Sequence, residues 1–277
     1  MKKIIVPVDF SEHSEYALEA AALLVKKNGG EILALHMLEL SDAVLTQADS
    51  EQDMKAVFYL KLAEKKFEEF LDKPYLQDVT VTPIVKHFKV FSEVNDVALE
   101  HSVDMIVMGS HGASGFSEMF VGSNTEKVVR NATVPVLVVK DHLPKQMFEN
   151  VVFACDFSEE SVKAYINATA LFNELNLDIH LLYVNVPGER FRSSEEMRHK
   201  VSQFLQTADG NLDNLDKVRY VSDYTVEKGV LSYAANTKTD LIAVSTHGRK
   251  GIAHFFEGSI SEDLANHSKF PVITFKL

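Results

Sequence analysis

The chain has one cysteine in 277 residues, Cys155, so no disulfide can form within it. A chain without disulfide staples fits a reducing, cytoplasmic setting. No apolar run approaches the roughly 18 residues of a membrane-spanning helix. The opening stretch, MKKIIVPVD, is interrupted by Pro7 and Asp9 and lacks the apolar centre of a signal peptide. Positive charge is in deficit: 28 Lys and Arg stand against 40 Asp and Glu, a formal net charge of −12. That balance argues against a broad nucleic-acid or anionic-membrane surface and leaves room only for a local basic pocket. Neither GxxxxGK[ST] nor GxGxxG occurs, and no nucleophile elbow or Ser-His-Asp order stands out. His36, His87, His101, His142 and His180 show no metal-ligand spacing with cysteine or with one another. On these absences no residue is assigned as catalytic and none as a metal ligand.

What is present is a repeat. Ile4-Ile-Val-Pro-Val-Asp-Phe-Ser-Glu12 returns as Val151-Val-Phe-Ala-Cys-Asp-Phe-Ser-Glu159, 147 residues later. A second landmark runs Gly109-Ser-His-Gly112, nine residues, then Gly122-Ser123. It returns 136 residues later as Ser245-Thr-His-Gly248, nine residues, then Gly258-Ser259. Each copy closes on proline and a β-rich run, Pro135–Val139 and Pro271–Phe275. The second copy is 11 residues shorter between landmarks. The length suits two domains of roughly 130–150 residues, and the 46% hydrophobic content supports sizeable cores. The boundary falls in the polar, proline-containing stretch Asp141–Gln146, giving expected domains of 1–143 and 149–277.

The patterning of each copy alternates strand and helix. In the first, strands are expected at 3–8, 31–37, 79–85, 104–108 and 135–139. Helices are expected at about 11–27, 51–72, 90–101 and 123–131. Pro83 places the third strand at an edge or a bulge. In the second copy strands are expected near 150–155, 178–184, 216–221, 240–244 and 271–275. Helices are expected near 160–175, 193–209, 224–237 and 259–267. Such alternation makes parallel sheets with helices on both faces. The loops bearing Asp9 and Gly109 then share the carboxyl edge, where open α/β sheets bind ligands. Phe58, Phe67, Phe70, Phe88 and Phe91 are expected on packing faces, Phe255 and Phe256 as a seal, and Cys155 as a small buried hydrophobe.

The glycine loop suggests chemistry. Backbone N–H groups in such a loop and at a helix start suit an anion, most often phosphate, and Ser123 can cap that helix or contact the anion. The alternative is a glycine-rich connection that binds nothing. Asp9 and Asp156 are good acceptors for ribose hydroxyls and equally good turn or helix caps. His111 and His247 recur inside the loops as loop-ordering donors, phosphate contacts or, less readily, general bases. Arg249 and Lys250 form a basic pair that either meets phosphate or is solvated.

These residues together resemble the universal stress protein family in its tandem form. The resemblance rests on Pro7-Val-Asp9-x-Ser11, Gly109-x-x-Gly112-x9-Gly122-Ser123 and the Val134-Pro-Val-Leu-Val-Val139 tail. It implies two Rossmann-like domains, each a five-stranded parallel sheet with helices on both faces, related by a pseudo-twofold. It implies ATP, or ADP or AMP, as ligand, with or without Mg²⁺, for which no dedicated carboxylate set is evident. Carried over by residue, Pro7, Asp9 and Met37 would line the adenine and ribose. Gly109, His111, Gly112, Gly122, Ser123 and Asn124 would hold ribose and phosphates. In the second copy Asp156, Val184, Gly248, Gly258 and Ser259 remain, and Ser245 replaces the first glycine, which weakens that site. The last strands, Val136–Val139 and Val272–Phe275, would meet inside one chain as a pseudo-dimer, with a further homodimer open.

The expected function is an adenine-nucleotide-binding regulatory protein of the general stress response. Two alternatives stand beside it: a non-nucleotide interaction scaffold, and a slow ATPase or phosphotransferase. The resemblance also allows autophosphorylation of Ser114, Ser117 or Ser123, which nothing in the sequence specifies.

Overall fold

The structure is a computed structural model that describes residues 1–38, 50–87, 93–111, 122–143, 148–246 and 268–277. Expectations at Gly112, Ser114, Ser117, Phe88, Phe91, His247, Gly248, Arg249, Lys250, Phe255, Phe256, Gly258, Ser259 and helix 259–267 lie outside the described residues.

The first half contributes strands β1 (Lys3–Pro7), β2 (Glu31–Leu38), β3 (Thr80–His87), β4 (Met105–Gly109) and β5 (Val136–Val139). Its helices are α1 (Glu12–Asn28), α2 (Ser50–Leu71), α3 (Val94–Glu100) and α4 (Ser123–Asn131). The second half contributes β6 (Asn150–Ala154), β7 (Asp178–Asn185), β8 (Arg219–Ser222), β9 (Leu241–Thr246) and β10 (Val272–Lys276). Its helices are α5 (Val162–Glu174), α6 (Ser194–Ala208) and α7 (Val226–Ala235).

All ten strands form one sheet in the order β3-β2-β1-β4-β5-β10-β9-β6-β7-β8. Within each half every pairing is parallel. The halves join through an antiparallel ladder, Val138 with Val272, Leu137 with Ile273 and Val136 with Thr274. The order is symmetric about this ladder, the pattern a pseudo-twofold requires. Because the ladder is antiparallel, the carboxyl edges of the two halves face opposite ways. Each half therefore keeps its own candidate site.

Strand alternation divides the core into layers. Ile4, Val6, Val107, Leu137, Ile273, Phe153 and Phe275 belong to one continuous core that α1, α2, α5 and α6 cover across both halves. The intervening residues supply two separate cores among the described residues. Ile5, Leu35, Ile106 and Val138 pack with α3 and α4, and Val152, Leu182, Ile242 and Val272 pack with α7. The shared core centres on Phe275, fully buried, with ring centroids 6.3 Å from Phe153 and 5.5 Å from Phe172. Cys155 is buried, as its apolar neighbours predict.

Two expectations change, and a third is narrowed. Phe58, expected on a packing face, is exposed, as are its neighbours Val57 and Leu62, while Phe67 and Phe70 are buried as expected. Ala63, Phe67 and Phe70 recur at i, i+4 and i+7 and form the buried face of α2, and Phe58 and Leu62 fall outside that face. The strand expected at 216–221 begins later, because Leu215–Lys217 form a 3-10 turn ahead of β8. Pro83 lies in register opposite Ala34 with no bulge, and β3 is the edge strand. Its missing N–H leaves the ladder intact there.

Replacing Phe275 by alanine removes a ring from the core common to both halves. The expected loss is about 3–5 kcal/mol, read as a lower urea midpoint.

Candidate functional site

β1 and β4 are neighbours, yet the chain leaves β1 toward β2 and β3 on one side before returning to β4 on the other. This reversal opens a crevice at the carboxyl ends of the two strands. The first wall is the turn after β1. Pro7, its last residue, is buried and pairs with Leu35. Asp9 follows, and its Oδ1 accepts from the Ser11 backbone N–H at 3.0 Å and the Ser11 hydroxyl at 2.6 Å. Ser11 in turn caps α1 by accepting from the Ser14 N–H. Between them Phe10 sits at φ 66°, a left-handed conformation costing a non-glycine residue roughly 1–2 kcal/mol. Packing offsets that cost: the Phe10 ring lies 4.5 Å from His36, 5.2 Å from Phe67 and 5.5 Å from Phe70.

The second half repeats this turn. Asp156 Oδ1 accepts from the Ser158 N–H at 3.0 Å and the Ser161 hydroxyl at 2.6 Å. Phe157 has φ 53° and stacks on Tyr183 at 5.7 Å, with Phe204 edge-on at 5.2 Å. Each copy also sets an ammonium over this patch, Lys66 at 5.3 Å from Phe10 and Lys200 at 5.9 Å from Tyr183. Crowding by protein on one side opposes ionisation of Asp156. The bonds from Ser161 and Ser158, with Lys200 nearby, outweigh that and hold its carboxyl below the usual range.

His36, on β2, went unnoticed as a site residue. Its Nδ1–H donates to the Val8 carbonyl at 2.7 Å, which fixes the backbone just before Asp9. Burial holds it below the usual imidazole value, with Lys66 adding to the effect. Met37 follows it in β2; its side chain is buried in the α3–α4 core, so only its backbone borders the crevice.

The second wall is the end of β4. Gly109, its last residue, is buried. A Cβ there would lie 2.5 Å from the His13 carbonyl oxygen and 2.7 Å from the His13 Cβ. Glycine at 109 thus lets α1 press directly on β4. At the matching register position, Ser245 opposite Phe275, the serine is half-exposed, so the second half has room for a side chain there.

Beyond Gly109 the chain is tied back to α4. The Gly122 N–H donates to the Ser110 carbonyl at 2.7 Å, and the Thr125 hydroxyl to the Gly109 carbonyl at 2.9 Å. The Gly122 donor is therefore engaged within the protein. Gly122 offers α4 no side-chain cap; Ser123 is exposed and Asn124 half-buried at the start of that helix. His111 is half-buried with Nδ1 2.9 Å from Ser110 Oγ. The structure thus brings Pro7, Asp9, Met37, Gly109, His111, Gly122, Ser123 and Asn124 to one end of the first half. In the second half it places Asp156 and Val184 at the ends of β6 and β7. Val184 packs tightly on Gly229 of α7. Buried Asn185 binds Arg192 through both ends of its amide, drawing loop 186–193 back to the end of β7. Among the described residues no group of three or more His, Cys, Asp or Glu is arranged to hold a metal ion.

The recurring Asp104 and Asp240 serve the opposite edge. Asp104 accepts from the Lys2 and Lys3 N–H groups, and Asp240 from those of Glu149 and Asn150. They pin the starts of β1 and β6 and have no place in the site.

The profile of the universal stress protein family matches the chain twice, over residues 1–140 and 147–276. The chain belongs to the universal stress protein family. A universal stress protein of Methanocaldococcus jannaschii is 31% identical over 155 residues, covering 50% of this chain and 94% of that protein. One from Synechocystis is 24% identical over the full length of both chains. A solved universal stress protein from Archaeoglobus fulgidus superposes with a TM-score of 0.66 at 24% identity, covering 99% of this chain and 96% of that one. This superposition supports the tandem α/β fold.

Two expectations follow from the geometry. Gly109→Ala should destabilise by about 1–3 kcal/mol through overpacking, whereas Ser245→Gly should cost under ~1 kcal/mol; thermal unfolding of both variants measures the contrast. The depressed carboxyl of Asp156 stabilises the fold above its unfolded value of about 3.9, and that contribution fades as pH falls through the lower folded value. Asp156→Ala should therefore lower the melting temperature at pH 7, with the difference from wild type shrinking below about pH 4.

Proposed function

We propose that this universal stress protein is a regulatory module that binds an adenine nucleotide, ATP before ADP or AMP, in its first half. The observation that carries the reading is the meeting of Asp9 and the Gly109–His111 segment at the switch point between β1 and β4. An acceptor for ribose hydroxyls thus stands beside the start of an uncapped helix whose first-turn N–H groups suit phosphate. The bonds from Ser11 hold the Asp9 carboxylate in one position, which reduces the entropy lost on binding. The nucleotide would supply the regulatory signal. Turnover is no part of this reading.

The domains are taken as 1–143 and 149–277, with the second as the weaker nucleotide binder and the chain in the cytoplasm. Supporting the weaker second site are the side chain at Ser245 and the loop drawn toward β7 by Asn185. Among the described residues no helix is long and apolar enough to cross a membrane.

Small molecules released from denatured protein, identified by mass spectrometry, should include an adenine nucleotide. Titration of ATP into stripped protein should saturate. Asp9→Ala and Gly122→Val should each weaken binding by about tenfold or more, roughly one charge-assisted contact. Saturation at one site per chain would fit the first half alone. Absence of any saturable nucleotide binding would make the chain an interaction scaffold instead.

A further inference from the structure

Each half carries the spacing Lys-x-x-x-Phe on the helix that covers the shared core beside its Asp-Phe-Ser turn. It reads Lys66-Phe-Glu-Glu-Phe70 on α2 and Lys200-Val-Ser-Gln-Phe204 on α6. The three residues between differ at every place. What recurs is therefore the lysine and the phenylalanine, and both meet the turn. Phe70 stands edge-on to Phe10 at 5.5 Å, and Phe204 edge-on to Phe157 at 5.2 Å. Residues four apart share a helix face, so the lysine lies one helical turn before that contact and is aimed at the same patch. The Lys66 ammonium is 5.3 Å from the centre of the Phe10 ring. The Lys200 ammonium is 5.9 Å from that of Tyr183, which stacks on Phe157. Attraction to the ring face keeps near the turn a charge that would otherwise range through solvent.

We propose that Lys66 and Lys200 are the counter-charges of the two turn aspartates, offsetting each carboxylate so that an anionic ligand can settle beside it. This rests on the nucleotide reading above and adds the residues that set the sign of charge at the site. A carboxylate accepts well from sugar hydroxyls and at the same time repels phosphate. An ammonium held over the neighbouring aromatic ring cancels that repulsion at a distance and leaves the acceptor oxygens in place. The chain's net charge of −12 makes such a local correction matter more to an approaching anion.

The surrounding groups fit this role. Burial opposes ionisation of Asp156; the bonds from Ser161 and Ser158, and then Lys200, favour it. Around Tyr183 the other charged side chains, Arg192 and Glu196, oppose each other. In the first half the fields of Lys66 and Asp9 meet at His36. Burial, with Lys66 adding to it, holds that imidazole below its usual value. His36 is therefore neutral at pH 7, and the cation on this patch is Lys66.

The test is calorimetric titration of the full chain with ATP and with adenosine, at low and at high salt, for wild type, Lys66→Met and Lys66→Arg. Methionine keeps an apolar stem over Phe10 and removes the charge. Lys66→Met should weaken ATP binding about threefold at low salt, the range of one exposed charge pair. The difference should shrink at high salt. Adenosine should bind all three alike, and Lys66→Arg should hold ATP as wild type does. In the second half, carbon-detected NMR should show the Asp156 carboxyl titrating higher in Lys200→Met than in wild type or Lys200→Arg. Equal ATP affinity in wild type and Lys66→Met, a loss shared equally by adenosine, or an Asp156 titration unmoved in Lys200→Met would each overturn the inference and leave the nucleotide reading standing. No saturable binding of either ligand would overturn both.

Discussion

Three residue pairs hold the molecule as one sheet: Val136 with Thr274, Leu137 with Ile273 and Val138 with Val272. Each half on its own would end in an apolar edge strand whose backbone groups lie open to any other edge. Pairing the two last strands closes both edges at once. It also brings Phe275 against Phe153 and Phe172, so the core on one face of the sheet runs unbroken through both halves. Side-chain and terminal bonds across the junction reinforce the ladder. The Thr274 hydroxyl donates to the Val136 carbonyl, Lys276 reaches the Arg130 carbonyl at the end of α4, and the Met1 ammonium pairs with Glu174. The same antiparallel geometry turns the two carboxyl edges away from each other. Two sites on one polypeptide are thereby kept apart and free to diverge.

The Asp-Phe-Ser turn is the element both halves retain in detail. Its carboxylate, serine and left-handed phenylalanine act as a unit: the side-chain bonds tighten the turn, and aromatic packing offsets the backbone cost. The partners of the aromatic ring differ, His36 in one half and Tyr183 in the other, while the turn stays the same. A turn so over-determined presents its aspartate in a constant place whatever the neighbouring loops do. The end of the fourth parallel strand is where the halves part. Gly109 admits α1 to contact distance and brings the His13 ring to that of His111; the second half has Ser245 at the place of Gly109 and Glu160 at the place of His13.

Much of this was legible in the residues. The repeat of Asp9-Phe-Ser and Asp156-Phe-Ser, the alternation of strand and helix, and the glycine at 122 ahead of α4 all carry local signals of turn, period and cap. Cys155 and Phe67 were readable as buried because period and neighbours agreed. Phe58 was misread because α2 has apolar residues on more than one side, and only the side of Ala63, Phe67 and Phe70 meets the sheet. Asp216 and Lys217 were misread as strand because a 3-10 turn has no distinct hydrophobic period.

What the sequence determined by itself was the order of elements, the repeat and the two aspartates at strand ends, since these depend on residues close together in the chain. Tertiary structure decided the rest. That Gly109 lets α1 press on β4, that Gly122 donates to Ser110, that His36 holds Val8 and that His13 meets His111 depend on residues 12 to 98 positions apart. No local pattern encodes such contacts, because they arise only when parallel strands bring distant segments to the same edge.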